Sequence, residues 1–164
     1  MTDAPFDIVQ VREPIDLAAI IGLFRAYAAS LDIDLAYQDF EGEMATMPGK
    51  YQPPAGELLL AKDASGKALG CVGLRPLDSS CGEMKRLYIL PAGRGRGLGR
   101  ALVEACIARA RAIGYSEIRL DTLASMTEAQ ALYRKLGFEV IDPYYATPVA
   151  GTIFMRHRLE RTGG

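Results

Sequence analysis

Residues 83–100 read E-M-K-R-L-Y-I-L-P-A-G-R-G-R-G-L-G-R. In the first half, Leu87, Tyr88, Ile89 and Leu90 form an apolar, aromatic and β-branched run that Pro91 stops, which is the pattern of a buried strand. In the second half, Gly93, Gly95, Gly97 and Gly99 are set among Arg94, Arg96 and Arg100 and lead into the helical spacing of Leu98, Ala101, Leu102, Ala105 and Cys106. A strand, a glycine-rich turn and a helix therefore follow one another. The first N–H groups of a helix lack intrahelical partners and carry partial positive charge, so such a junction is an anion site. The arginines reinforce it, the glycines leave it sterically open, and the expected ligand is a diphosphate.

Three phosphate motifs compete for these residues. A P-loop needs G-x-x-x-x-G-K-[ST], and no Lys-Ser or Lys-Thr pair follows any of the glycines. A dinucleotide fingerprint needs G-x-G-x-x-G, and Arg100 stands where the third glycine would fall after Gly95 and Gly97. The pattern present is R-x-x-G-x-G, in Arg94, Gly97 and Gly99. Together with the strand before it, the amphipathic helix after it and the later A-Q-A-L-Y-R-K-L-G-F of residues 129–138, it resembles the GNAT superfamily of N-acetyltransferases, whose signature is Q/R-x-x-G-x-G/A. The resemblance covers residues 83–138 closely.

Outward from this stretch, the order of elements follows from local patterns. Strands are expected over residues 7–11, 57–62, 68–75 and 82–90, and a helix over 14–29 that opens at Pro14 and carries Leu17, Ile20, Ile21, Phe24 and Tyr27 on one face. Residues 37–47 suit a short helix, where Tyr37 and Phe40 serve pocket lining and plain packing equally well. The turns at 63–66 and 78–82 are too short for anything but antiparallel hairpins. After the glycine turn, a helix over 97–113 stopped by Gly114 makes the strand of Ile118 and Leu120 parallel to the one before it. Ser125 and Glu128 have the spacing of a capping box, for a helix whose inner face is Ala129, Leu132 and Leu136 and whose stop is Gly137. Two last strands are expected at 138–141 and 152–159. The fold class is thus α/β: a single GNAT-like domain over residues 1–164, with a mixed, mostly antiparallel sheet flanked by helices.

Composition narrows the function classes. The 164 residues suit one domain with a sizeable core. Lys+Arg 19 against Asp+Glu 20 gives a net charge of −1, which provides no global attraction to nucleic acid or to anionic membranes. No apolar run approaches membrane-spanning length and residues 1–10 lack the pattern of a signal peptide, so a cytoplasmic protein is expected. Cys71, Cys81 and Cys106 have no C-x-x-C spacing and lie in apolar surroundings, as reduced core cysteines do. A lone His157 cannot form a metal cluster, and its place in the final strand suggests a surface or barrel-edge residue.

The resemblance implies acetyl transfer from acetyl-CoA to an amine. It places the diphosphate on Arg94, Gly95, Arg96, Gly97, Leu98, Gly99 and Arg100, and the pantetheine arm along the backbone of Leu87, Tyr88 and Ile89. It gives Tyr133 the role of acid for the departing thiolate, since a phenol with pKa near 10 is neutral at pH 7 and can donate. Glu83 stands where some relatives carry a general base, while many relatives use water chains instead. The asparagine common in N-x-x-A-x-x-L-Y is replaced by Met126, so a polar contact to the cofactor arm is lost or moves to Ser125 or Thr127. The acceptor is left open among a small-molecule amine, which is favoured, a protein N-terminus or lysine, and none at all if the domain only senses acetyl-CoA. A homodimer is compatible with the family. Asp39, Glu41 and Glu43, opposite Tyr144 and Tyr145, would suit a cationic small acceptor, and equally suit the solvated face of a short helix with the tyrosines closing the barrel edge.

Overall fold

A computed structural model describes residues 5–159. Strand β1 (Phe6–Gln10) leads to helix α1 (Pro14–Ser30), a 3-10 turn at Leu35–Gln38, helix α2 (Phe40–Ala45), and strands β2 (Glu57–Asp63), β3 (Ala68–Pro76) and β4 (Cys81–Ile89). The glycine turn then opens α3 (Leu98–Ile113), followed by β5 (Glu117–Thr122), α4 (Thr127–Lys135), β6 (Glu139–Ile141) and β7 (Ile153–Arg158). All seven strands form one sheet in the order β1-β2-β3-β4-β5-β7-β6. Every neighbouring pair is antiparallel except β4 with β5, which the α3 crossover makes parallel.

The sheet is covered on both faces, which explains the unbroken Leu58-Leu59-Leu60-Ala61 run: alternate side chains point to opposite sides, and here both sides are core. Leu59 and Ala61 join Leu102, Cys106 and Tyr133 under α3 and α4, whereas Leu58 and Leu60 join Ile20, Phe24 and Met44 under α1 and α2. Glu57, at the start of the same strand, is fully buried and bridges Arg12 at 2.7 Å and Arg109 of α3 at 3.0 Å. That carboxylate can be buried only because two guanidiniums answer it. All three cysteines are free and buried.

Two irregularities open the centre of the sheet. The β4–β5 ladder holds for only three residue pairs, Cys81 to Glu83 against Glu117 to Arg119, after which β5 pairs with β7 alone. On the other side of β4, Cys71 faces Tyr88 and Gly73 faces Lys85, so β4 carries one extra residue, a bulge, between those pairs. Arg86 sits in it at φ 64°, a left-handed conformation that costs a non-glycine residue about 1–2 kcal/mol.

Four local expectations are corrected by the structure. The helix expected at 37–47 is a 3-10 turn and a six-residue α2, hinged at Asp39 with φ 54°. The Ser125–Glu128 capping box does not form, because a turn from Leu123 to Met126 delays α4 by one residue and leaves Met126 at the cap. The buried Gln130 amide donates to the carbonyls of Leu123 and Ala124, at 2.8 and 3.3 Å, and so ties that turn to the helix. Helix α4 buries Gln130 and Tyr133 most deeply, with Ala129, Leu132 and Leu136 only partly covered at the flanks. His157 is neither a surface nor an edge residue: β6 pairs outside β7, and the half-buried imidazole packs on Phe138 with centroids 5.2 Å apart.

Candidate active site

Where β4 and β5 part, a cleft opens, lined by Met84, Lys85, Arg86 and Leu87 on one side and by Asp121, Thr122, Met126 and Tyr133 on the other. Tyr27 of α1 and Leu35, Tyr37 and Gln38 of the 3-10 turn close its rim. Tyr27 packs edge-on against Tyr88 at 6.0 Å, and burial pushes its phenol up to about 12.

Tyr133 is 6 % exposed, and no side-chain hydrogen bond joins its hydroxyl to another described residue. Burial raises its pKa well above the ordinary phenol value, so the proton stays on throughout the neutral range. The ring is held by Phe138, with centroids 5.5 Å apart, and by the Tyr133 carbonyl, which accepts from Phe138 N at 2.9 Å.

The glycine turn lies beyond the end of β4. Gly95 and Gly97 have φ of 77° and 78°, and a side chain built on either would meet nothing within 4 Å. These glycines are thus required for backbone conformation, while the space outside them stands open. The first α-helical bond runs from Ala101 N to Gly97 O at 3.1 Å, which leaves the N–H groups of Leu98, Gly99 and Arg100 free at the helix start. The arginines contribute less than their number suggests: Arg94 donates to Ile89 O at 3.2 Å and Arg100 pairs along the helix with Glu104 at 2.8 Å. Backbone, more than side chains, makes this anion site. An open turn of free N–H groups beside an unpaired stretch of strand fits the diphosphate and pantetheine arm of acetyl-CoA.

Glu83 is placed differently from the expected free base. It is 3 % exposed, accepts from Arg75 Nε at 3.0 Å and from Tyr144 hydroxyl at 2.6 Å, and does not line the cleft. Arg75 also reaches Glu43 at 3.3 Å, and Glu43 in turn accepts from Arg86 Nε at 3.2 Å. This chain of charges, running from the 143–151 loop through β4 and β3 to α2, neutralises Glu43. Glu41 pairs with Arg25 at 2.6 Å on the exterior, and Asp39, at the hinge, is exposed and does not line the cleft. The cluster expected to draw a cationic acceptor is therefore dispersed. Tyr145 donates to Asp121 by a short contact, and Tyr144, Tyr145 and Phe154 pack edge to face at 5.1–5.6 Å. Met126 lines the cleft, with Thr122 Oγ1 3.6 Å from its sulfur, whereas Ser125 and Thr127 are exposed and do not line it.

Sequence reasoning missed Lys85, Arg86 and Asp121. A signal existed, since two adjacent cations in the middle of a strand buried on both faces must have partners or a use.

A mixed sheet split at one parallel pair, with a helix N-terminus beside the split and a buried phenol on its wall, defines a CoA-dependent acyltransferase. The profile of the Acetyltransferase (GNAT) family matches residues 23–138. The chain is 38% identical over 162 residues to an uncharacterized N-acetyltransferase of Schizosaccharomyces pombe, covering 98% of this chain and 99% of that protein. It is 32% identical over 151 residues to the Escherichia coli N-acetyltransferase YjgM, covering 89% of each. Among solved structures, a GNAT-family acetyltransferase from Staphylococcus aureus shares the fold with a TM-score of 0.79 at 19% identity, over 95% of this chain and 100% of the other. The fold is shared too by yncA of Salmonella typhimurium, solved with acetyl-CoA, with a TM-score of 0.70 at 18% identity over 98% of both chains. The chain belongs to the GNAT family of acetyltransferases, and acetyl-CoA is its cosubstrate.

Proposed function

We propose that this enzyme acetylates the amine of a small molecule, with Tyr133 as the proton donor to the departing thiolate. The observation that carries the reading is the unpartnered Tyr133 hydroxyl on the wall of the β4–β5 cleft. Acetyl-CoA supplies an acyl thioester, whose transfer leaves a thiolate. Backbone of Leu87, Tyr88 and Ile89, free of β5, is the surface along which the arm is held, and the turn of Arg94, Gly95, Arg96, Gly97, Leu98, Gly99 and Arg100 takes the diphosphate. Burial strengthens the donor role: a thiolate formed in the same dry cleft is itself desolvated and made more basic, so a phenol of raised pKa remains matched to it. The enclosure of the cleft between α1, the 3-10 turn and β5 favours a small acceptor over a polypeptide. The deciding assay incubates the enzyme with acetyl-CoA and a panel of small amines and peptides, reading CoA release and acetylated product by mass spectrometry. Turnover confined to peptides would overturn the small-molecule reading.

Glu83 serves in this proposal as an anchor, not as the base, because its carboxylate is held by Arg75 and Tyr144 and does not line the cleft. The proton of the incoming ammonium leaves through water. Glu83→Gln is expected to lower Tm, since Arg75 loses its nearest counter-charge, while kcat falls less than about 10-fold and the acid limb of the pH–rate profile stays in place. A lost or displaced acid limb would restore Glu83 as the base.

A further inference from the structure

We propose that Lys85 binds a carboxylate on the acceptor, so that the enzyme acts on amino acids or similar amine-carboxylates in preference to simple amines. The inference rests on the small-molecule reading above and names its substrate class. The Lys85 side chain is 5% exposed, yet it lines the cleft. An ammonium carries three N–H donors. Here one donates to Gln38 Oε1 at 3.3 Å, and the nearest carboxylate, Asp121, stands 3.9 Å away, beyond hydrogen-bond reach. Asp121 is itself engaged by the Tyr145 hydroxyl. Lys85 is therefore a buried cation with donors to spare, facing a cleft.

The other charges agree. Lys85, Arg86 and Asp121 are the charged residues lining the cleft among the described residues. Arg86 is committed to Glu43 at 3.2 Å and lies over the Phe40 ring at 5.1 Å, which leaves Lys85 as the cation available to a ligand. Desolvation works to strip its proton, and an incoming carboxylate reverses that tendency by restoring a counter-charge. A carboxylate answers such a group because it can accept from the N–H donors that the bond to Gln38 does not use. The amine of the same molecule is then turned toward the wall formed by Tyr133.

The test compares matched pairs, each an amino acid and its decarboxylated amine, such as histidine with histamine and tyrosine with tyramine, by kcat/KM with acetyl-CoA saturating. The wild-type enzyme should favour the carboxylate member at least 10-fold. Lys85→Met, which keeps the length of the side chain, should erase that preference by raising the amino-acid KM and leave the acetyl-CoA KM unchanged. The wild-type comparison stands even if the variant does not fold. Equal turnover of both members by the wild type, or a Lys85→Met defect that falls on acetyl-CoA KM, overturns the assignment while leaving the small-molecule reading in force. No turnover of any pair, with acetyl-CoA binding intact by calorimetry, removes that reading and this one with it.

Discussion

Gly97→Glu should abolish acetyl-CoA binding, the largest loss expected of any single substitution in this chain. The effect is aimed at the ligand. Because Gly97 is exposed and a side chain there meets open space, the protein itself yields only the strain of a left-handed residue, about 1–2 kcal/mol in a surface turn. On the proposed reading the diphosphate has no such latitude: its approach to the N–H groups of the α3 start is where the variant puts a carboxylate. Isothermal titration with acetyl-CoA measures the loss, and Gly97→Ala serves as its control, since it carries the strain without the charge. Arg94→Ala should weaken binding less than about 10-fold, because this arginine is exposed and partly engaged with Ile89 O. A Gly97→Glu protein that binds as tightly as its parent would place the diphosphate elsewhere.

Tyr133→Phe should lower kcat by roughly 10²-fold with little change in stability. The ring keeps its contact with Phe138, and no described residue loses a hydrogen bond with the hydroxyl. Removing the phenol's proton leaves the thiolate to be protonated by whatever water enters the cleft. Steady-state and single-turnover rates should fall together, which separates a chemical defect from slow product release. Unchanged single-turnover kinetics would show that the Tyr133 hydroxyl has no part in the step.

The parts legible in the sequence are those whose cause is local. The strand run of residues 87–90, the Pro91 stop, Gly95 and Gly97 at positive φ and the α3 periodicity all lie within 20 or so residues of one another, and the adjacency of β2, β3 and β4 follows from two short turns. The parts that were not legible depend on partners distant in the chain. Glu83 looks like a free carboxylate until Arg75 comes across the β3–β4 ladder and Tyr144 arrives from 61 residues away. Glu43 was read as an attractant because its two arginines, Arg75 and Arg86, are in different strands. Asp121 looked like the end of a strand and Lys85 like part of one, and only the parting of β4 from β5 brings them to one cleft. The Ser125–Glu128 spacing was a motif out of register: the turn from Leu123 to Met126 puts Met126, and not Ser125, at the cap, and spacing alone does not say where that turn ends.

The β4–β5 ladder, three pairs long, also bears on how the molecule withstands heat and denaturant. Past Glu83 the edge of β4 that faces β5 has no strand to close it, so the sheet is left open along that line. A ligand whose arm lies along that edge contributes the hydrogen bonds that a longer β5 would have made, and becomes in effect an exchangeable eighth strand. Occupancy and fold are then thermodynamically linked: binding to the native chain alone adds about 2.7 kcal/mol of resistance to unfolding at a hundred times Kd. The unfolding midpoint should accordingly climb with acetyl-CoA concentration, and the Gly97→Glu protein should show a flat line over the same titration.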